Sequence, residues 1–365
     1  MIRKNIVVPC DGTWNGMSTT TNVRRLSKMI HDVPPAQGVI NVLPPPNGFF
    51  PGIGIGRSVP EFLINGAVAS DISYKIKEAY KFVATEYSSR HSNSVWLFGF
   101  SRGAYTVRSV AGMIRNCGIP IADEGTIDHL VDQAYDIYRN RGRESHPDGP
   151  VATEFRESFS HRDSDRAVVF LGIWDTVGAH GIPSYAVGRG FEYLEFYDQF
   201  VSSYVNYTYH ALAVHENLAN FEPCRIFKRR DADNTLVEKW FPGVHIDIGG
   251  FMHNNPISDT TLNWMIDNIN NANDVTLGGN IPNVVVSGVP AGLVVRLTRN
   301  ALRMAHAVRL VFRDRVIPGV NIDVLYNGGN WQHIARSSDY TSRAYDKFRR
   351  LFTSRGIVPP PDLPA

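Results

Sequence analysis

The sequence has few cysteines, almost no net charge and no long apolar run, and each of these absences removes a class of protein. Its three cysteines, Cys10, Cys117 and Cys224, are odd in number and form no CxxC pair. They supply neither a disulfide framework nor a zinc cluster, and they suit a reducing compartment. Lys and Arg total 37 against 35 Asp and Glu, a formal charge of +2. A dedicated nucleic-acid binder carries a strongly basic face, so no nucleic-acid partner is expected. No stretch reaches the roughly 18 apolar residues of a membrane-spanning helix. The apolar stretch that ends at Pro9 is shorter than the core of a signal peptide. A cytoplasmic location is the default expectation, with signal-independent export left open and membrane contact at most peripheral. Asn206-Tyr207-Thr208 matches a glycosylation sequon, read as a chance match without a secretory signal.

What the chain does have is apolar mass. With 43% hydrophobic and 20% charged residues, its 365 residues can offset the entropy of ordering, which excludes disorder as the main state. Buried strands are expected at Ile6-Val7-Val8, at residues 39–43, at Val95-Trp96-Leu97-Phe98, and at residues 168–174 and 236–241. Helical spacing predicts a helix capped at Thr21 or Asn22 and running through Ile30. Further helices are expected over residues 71–90, 102–116 and 260–269. Strand and helix alternate, which predicts an α/β fold with a mostly parallel sheet and helices on both faces. Residues 119–165 read as a Tyr-rich helical insertion, expected as a cap. Six arginines between 296 and 315 interleave with Leu302, Ala305, Val308 and Leu310. They predict an amphipathic surface helix, with anionic lipid contact the lesser reading. One domain over residues 1–365 is expected, with its core at about 3–270 and a helical extension at about 274–365.

The sharpest motif is Gly99-Phe100-Ser101-Arg102-Gly103, lying between an expected strand and an expected helix. G-x-S-x-G alone is a weak signal. The strand–turn–helix context is that of a nucleophile elbow, in which glycines flank a serine held in a strained turn. The helix N-terminus also favours developing negative charge at Ser101. A serine nucleophile needs a base and an acid downstream in the order acid, then histidine. Asp175 ends an apolar strand and is followed by turn residues, so it fits the acid. His245 leaves the last expected strand in Trp240-Phe241-Pro242-Gly243-Val244-His245 and fits the base. His210 is expected on a helix as a packed or hydrogen-bonded histidine, His180 as a residue lining the site, and His253 and His333 as weaker substitutes for His245.

Two backbone donors are needed for an oxyanion hole. One is expected from Arg102, the other from the loop Asp11-Gly12-Thr13-Trp14, with Gly12 or Thr13 donating and Asp11 and Trp14 in support. A competing reading has Asp11 and Asp175 binding a metal, but no further ligand lies near Asp11 in sequence; neither metal nor cofactor is expected.

Five ordered blocks carry a resemblance. Asp11-Gly12-Thr13-Trp14-Asn15, Gly52-Ile53-Gly54, Gly99-Phe100-Ser101-Arg102-Gly103-Ala104-Tyr105, Trp174-Asp175-Thr176-Val177-Gly178 and Phe241-Pro242-Gly243-Val244-His245 resemble the motifs of the α/β-hydrolase domain family DUF2235. That family includes the Tle1 group of type VI secretion phospholipase effectors. The resemblance spans roughly residues 3–270. It implies an α/β-hydrolase fold, a Ser101-Asp175-His245 triad and ester hydrolysis, with phospholipids as substrates in the secreted members. The chain departs from the family at His210-Ala211-Leu212-Ala213-Val214-His215-Glu216, where His215 replaces an Asp, and at Ile246-Asp247-Ile248-Gly249-Gly250-Phe251-Met252. The expected function is carboxylic ester hydrolysis on a small or lipid ester. A silent scaffold and an acyltransferase with the same triad stand as alternatives. Residues 119–165 and 178–197 are expected to set acyl specificity.

Overall fold

A computed structural model describes residues 3–12, 21–34, 37–52, 67–89, 93–121, 123, 125–140, 142–178, 200–213, 216, 221, 223–229, 232–241, 243–250, 256–272 and 280–285. Among the described residues six strands form one sheet: β1 (Arg3–Cys10), β2 (Val39–Val42), β3 (Asn93–Phe100), β4 (Val168–Trp174), β5 (Val205–Ala213) and β6 (Thr235–Phe241). Their order is β2-β1-β3-β4-β5-β6 and every pairing is parallel. Of the four interior strands, β1, β3 and β4 are buried for almost their whole length, β3 and β4 at every residue. This is why they read as unbroken apolar runs rather than alternating ones.

Helices cover both faces. On one side α1 (Asn22–Asp32), α6 (His245–Gly249) and α7 (Pro256–Asn270) bury Val23, Leu26, Ile30, Ile248, Leu262, Met265 and Ile266 against Trp96, Phe98 and Phe170. On the other, α2 (Ala67–Glu86) and α3 (Arg102–Cys117) bury Ile72, Ile76, Val83, Val107, Val110 and Ile114 against Ile6, Val8, Val95 and Leu97. Each such side chain, fully removed from water, contributes about 1.5–3 kcal/mol. The division follows from handedness. The chain moves from β1 to β2 in one direction and from β2 to β3 to β4 in the other. Right-handed crossovers therefore place α1 opposite α2 and α3. The reversal makes the carboxyl ends of β1 and β3 a topological switch point, where open α/β sheets bind ligands. Asp11 follows β1 there and Ser101 follows β3.

The segment expected as a cap contains α4 (Ile127–Arg139), a short 3₁₀ turn (Arg143–Ser145) and α5 (Pro150–Phe159). The apolar face of α4, with Ile127, Leu130, Val131 and Ala134, belongs to the same core as α2 and α3. Tyr138 lies over Gly112, Asn116 donates to the Ser145 carbonyl at 2.9 Å, and Ser160 donates to the Cys117 carbonyl at 2.5 Å. These contacts fall on the C-terminal half of α3, several turns from Ser101. The segment thus packs on the flank of α3, because its apolar stripe is buried there. The arginine-bearing stretch 296–315 lies outside the described residues. Among the described residues no helix is long and apolar enough to cross a membrane.

Candidate active site

β3 ends at Phe100 and α3 begins at Arg102, so Ser101 alone turns the chain. Its backbone sits at φ 56° and ψ −121°, a region that residues with a side chain rarely adopt. The turn is held on both sides. Ser101 N–H donates to the Trp174 carbonyl at 3.0 Å, and its own carbonyl accepts from Tyr105 N–H at 3.2 Å. The two motif glycines are sterically required: a Cβ on Gly99 would lie 2.5 Å from the Gly103 carbonyl oxygen, and one on Gly103 would lie 2.1 Å from that of Cys10.

The turn after β4 repeats this device. Asp175 has φ 42°, its N–H donates to the Ala211 carbonyl at 2.7 Å, and its Oδ1 accepts from Ala213 N–H at 2.9 Å. Both anchors come from β5, so the neighbouring strand aims the carboxylate. His245 is the first residue of α6, just past Gly243 at φ 117°. Val244 N–H donates to Asp247 Oδ2 at 3.0 Å, and Asp247 N–H returns to the Val244 carbonyl at 2.9 Å, fixing the start of the helix. His245 N–H donates to Glu216 Oε2 at 3.2 Å. The imidazole packs against the rings of Phe100 and Phe221, with centroids 4.7 and 4.8 Å away.

Ser101, Asp175 and His245 therefore meet. His245 Nδ1 is 2.6 Å from Asp175 Oδ2, and His245 Nε2 is 2.9 Å from Ser101 Oγ. An ionised carboxylate can only accept, so Nδ1 carries the proton and Nε2 presents a lone pair to the serine hydroxyl. All three side chains are nearly buried, at 5%, 0% and 4% exposure, and their mutual bonds lie in a poorly screened setting.

The remaining site candidates fare differently. Arg102 occupies the first position of α3, where helix N–H groups have no intrahelical acceptor. Burial pushes its guanidinium pKa down to about 10. Gly12 was expected as an oxyanion donor, but its N–H donates to Asp11 Oδ1 at 2.7 Å. The adjacent carboxylate captures it, so this donor role does not hold for Gly12 in the structure. Asp11 also accepts from the Thr21 hydroxyl at 2.8 Å, and Thr21 in turn caps α1 through Arg24 N–H. Asp11 thereby ties Gly12 to Thr21. Thr13, Trp14, His180, His253 and His333 lie outside the described residues.

His210 is on β5, not on a helix. Ala211-Leu212-Ala213 suggests a helix by propensity, but pairing with β4 and β6 overrides it. His210 is fully buried. Its Nδ1 is 3.1 Å from Glu238 Oε1, and its Nε2 accepts from Thr176 N–H at 3.2 Å. Burial pushes its pKa down, opposed by Glu238. Burial also raises the Glu238 carboxyl, but the bonds from His210 and Ile226 N–H and the charge of Arg225 outweigh it and hold it at about 2. Since this lies below the ordinary value of 4.5, the charge stabilises the fold above pH 4.5. That contribution is lost as pH falls through about 2. Glu238→Gln is accordingly expected to lower the urea midpoint at neutral pH, and the gap to wild type should close on acidification. A gap independent of pH would contradict the assignment.

Sequence reasoning did not identify Ala213, Glu216, Phe221 or Glu238. Two act through a backbone group or ring that pattern does not reveal, and β5 itself was not expected. Comparison with known proteins adds the family. An uncharacterized protein of Saccharomyces cerevisiae is 28% identical over 192 residues, covering 49% of this chain and 27% of its own length. A solved structure, that of the Tle1 effector bound to the VgrG spike from the Type 6 secretion system, is 18% identical with a TM-score of 0.37. That match covers 69% of this chain and 52% of the other, so this chain spans about a quarter and about half of these two proteins. The family model for the catalytic domain of type VI secretion Tle1-like phospholipase effectors matches residues 4–268, and the chain belongs to that family.

Proposed function

We propose that this protein is a serine hydrolase that cleaves the carboxylic esters of lipids, phospholipids foremost, through an acyl-enzyme. The observation that carries the reading is the unbroken chain of contacts from Ser101 Oγ to His245 Nε2 and from His245 Nδ1 to Asp175 Oδ2, at 2.9 and 2.6 Å. His245 takes the Ser101 proton as Oγ attacks the ester carbonyl, while Asp175 holds the tautomer and stabilises the imidazolium. The positive end of α3 and the Arg102 N–H face the developing oxyanion, the second donor coming from the loop that begins at Gly12 and includes Thr13. Each such donor is worth about 2.7–4 kcal/mol in acyl transfer. Water then attacks the acyl-enzyme with His245 as base. Phe100 and Phe221 exclude solvent from the imidazole and keep it in line.

Lipid as substrate rests on family membership. The test is a panel running from short p-nitrophenyl esters to phosphatidylcholine and phosphatidylglycerol vesicles. Release of fatty acid by wild type but not by His245→Ala is expected. Turnover confined to short soluble esters would remove the phospholipase claim and leave the esterase. Absence of turnover on every substrate would remove both.

A further inference from the structure

The turn that carries Asp175 is braced from behind by a second set of groups, distinct from the Ser101–His245–Asp175 contacts. Thr176, fully buried, has both backbone groups engaged. Its N–H donates to His210 Nε2 at 3.2 Å, and its carbonyl accepts from Cys224 N–H at 2.8 Å. A backbone N–H can only donate, so His210 Nε2 must be the acceptor and His210 Nδ1 must carry the proton, directed at Glu238 Oε1. Glu238 Oε1 also accepts from Ile226 N–H at 2.9 Å, and Oε2 accepts from Arg225 Nε at 2.8 Å. Arg108 donates to the Cys224 carbonyl at 2.6 Å and to that of Arg225 at 3.2 Å. A second carboxylate–imidazole pair, its imidazole fully buried and its carboxylate nearly so, thus ends on the residue next to the catalytic acid.

We infer that Glu238 and His210 are positioning residues for the reaction proposed above: they fix His210 as a neutral acceptor, which holds the Asp175–Thr176 turn, with Asp175 at positive φ and its carboxylate aimed at His245. The inference rests on that reading for its kinetic consequence but not for its geometry. An imidazolium at His210 would set an N–H against the Thr176 N–H. The groups facing His210 are Glu238 and Asp175, which favour its protonation, and Arg108, which opposes it alongside burial. Displacing the turn by about 1 Å is enough to cost up to about 100-fold in rate.

Two amides separate this role from simple packing. His210→Asn places its amide near the Nδ1 position and keeps the bond to Glu238, but leaves Thr176 N–H without its acceptor. His210→Gln reaches the Nε2 position and can accept from Thr176. On a soluble ester, His210→Asn is expected to lower kcat by about 10–100-fold with KM within about twofold, and His210→Gln to stay within a few-fold of wild type. In parallel, the low-field proton resonance of the Asp175–His245 hydrogen bond should persist in His210→Gln and shift or vanish in His210→Asn. Equal effects of the two substitutions, or none from either, would overturn the inference. Wild type without turnover, but with a resonance that responds as stated, would overturn the hydrolase reading and leave the brace standing.

Discussion

Ser101→Ala is expected to abolish ester turnover, lowering kcat by about 10⁶-fold, and His245→Ala to do nearly the same. The magnitude follows from how the site is connected. Ser101 Oγ is the hydroxyl that His245 Nε2 contacts, so either substitution removes the attack rather than weakening it. What remains is the help of the helix end and of binding, worth about 10³–10⁴ over water. Because the two residues act in one proton transfer, the double variant should be no slower than either single one. The fold should tolerate the serine change, since the 3.0 Å bond to Trp174 and the bond from Tyr105 are made by backbone groups. A Ser101→Ala protein that melts as wild type but retains more than a hundredth of its kcat would mean that another group is the nucleophile.

Asp175→Asn is expected to cost about 10⁴-fold in kcat, with KM little changed. Asp175 Oδ1 is committed to Ala213 N–H and Oδ2 to His245 Nδ1. An asparagine would keep its carbonyl oxygen on Ala213, since an amide NH₂ cannot accept from a backbone N–H. Its NH₂ would then face His245 Nδ1 and force that nitrogen to accept. The proton moves to Nε2, and Ser101 loses its base although every side chain keeps its place. A loss under about tenfold would show that the histidine is oriented by its other neighbours, Phe100, Phe221 and the Glu216 bond, and that the carboxylate is dispensable.

Much of this was legible in the chain because the central strands are buried on both faces. Val95-Trp96-Leu97-Phe98 and residues 168–174 read as strands for the reason they are strands, and a serine and an aspartate directly after them fall on one sheet edge. The flanking glycines were readable too, because a Cβ at Gly99 or Gly103 meets backbone. β5 was not readable. Its Tyr207 and Tyr209 pack on a sheet whose existence the segment itself does not announce, with Tyr209 stacked on Phe170 at 5.3 Å. With β5 hidden, the Ala213 anchor and the His210–Glu238 pair were hidden as well. Gly12 was misread for a local reason, since nothing in the string Asp11-Gly12 says whether that N–H turns outward or to the preceding carboxylate. The insertion was read as a Tyr-rich helical cap, and the apolar stripe of α4 that joins it to the core of α2 and α3 was not singled out in that reading.

The central claim is that Ser101 is the activated nucleophile of a lipid-ester hydrolase. Its most direct measurement is labelling of the whole protein by a fluorophosphonate, followed by mass spectrometry of the intact chain and of its peptides. The account predicts one adduct per chain, on Ser101, formed slowly in Asp175→Asn and not at all in Ser101→Ala or His245→Ala. An unlabelled wild type, or an adduct that persists when Ser101 is replaced, would contradict it.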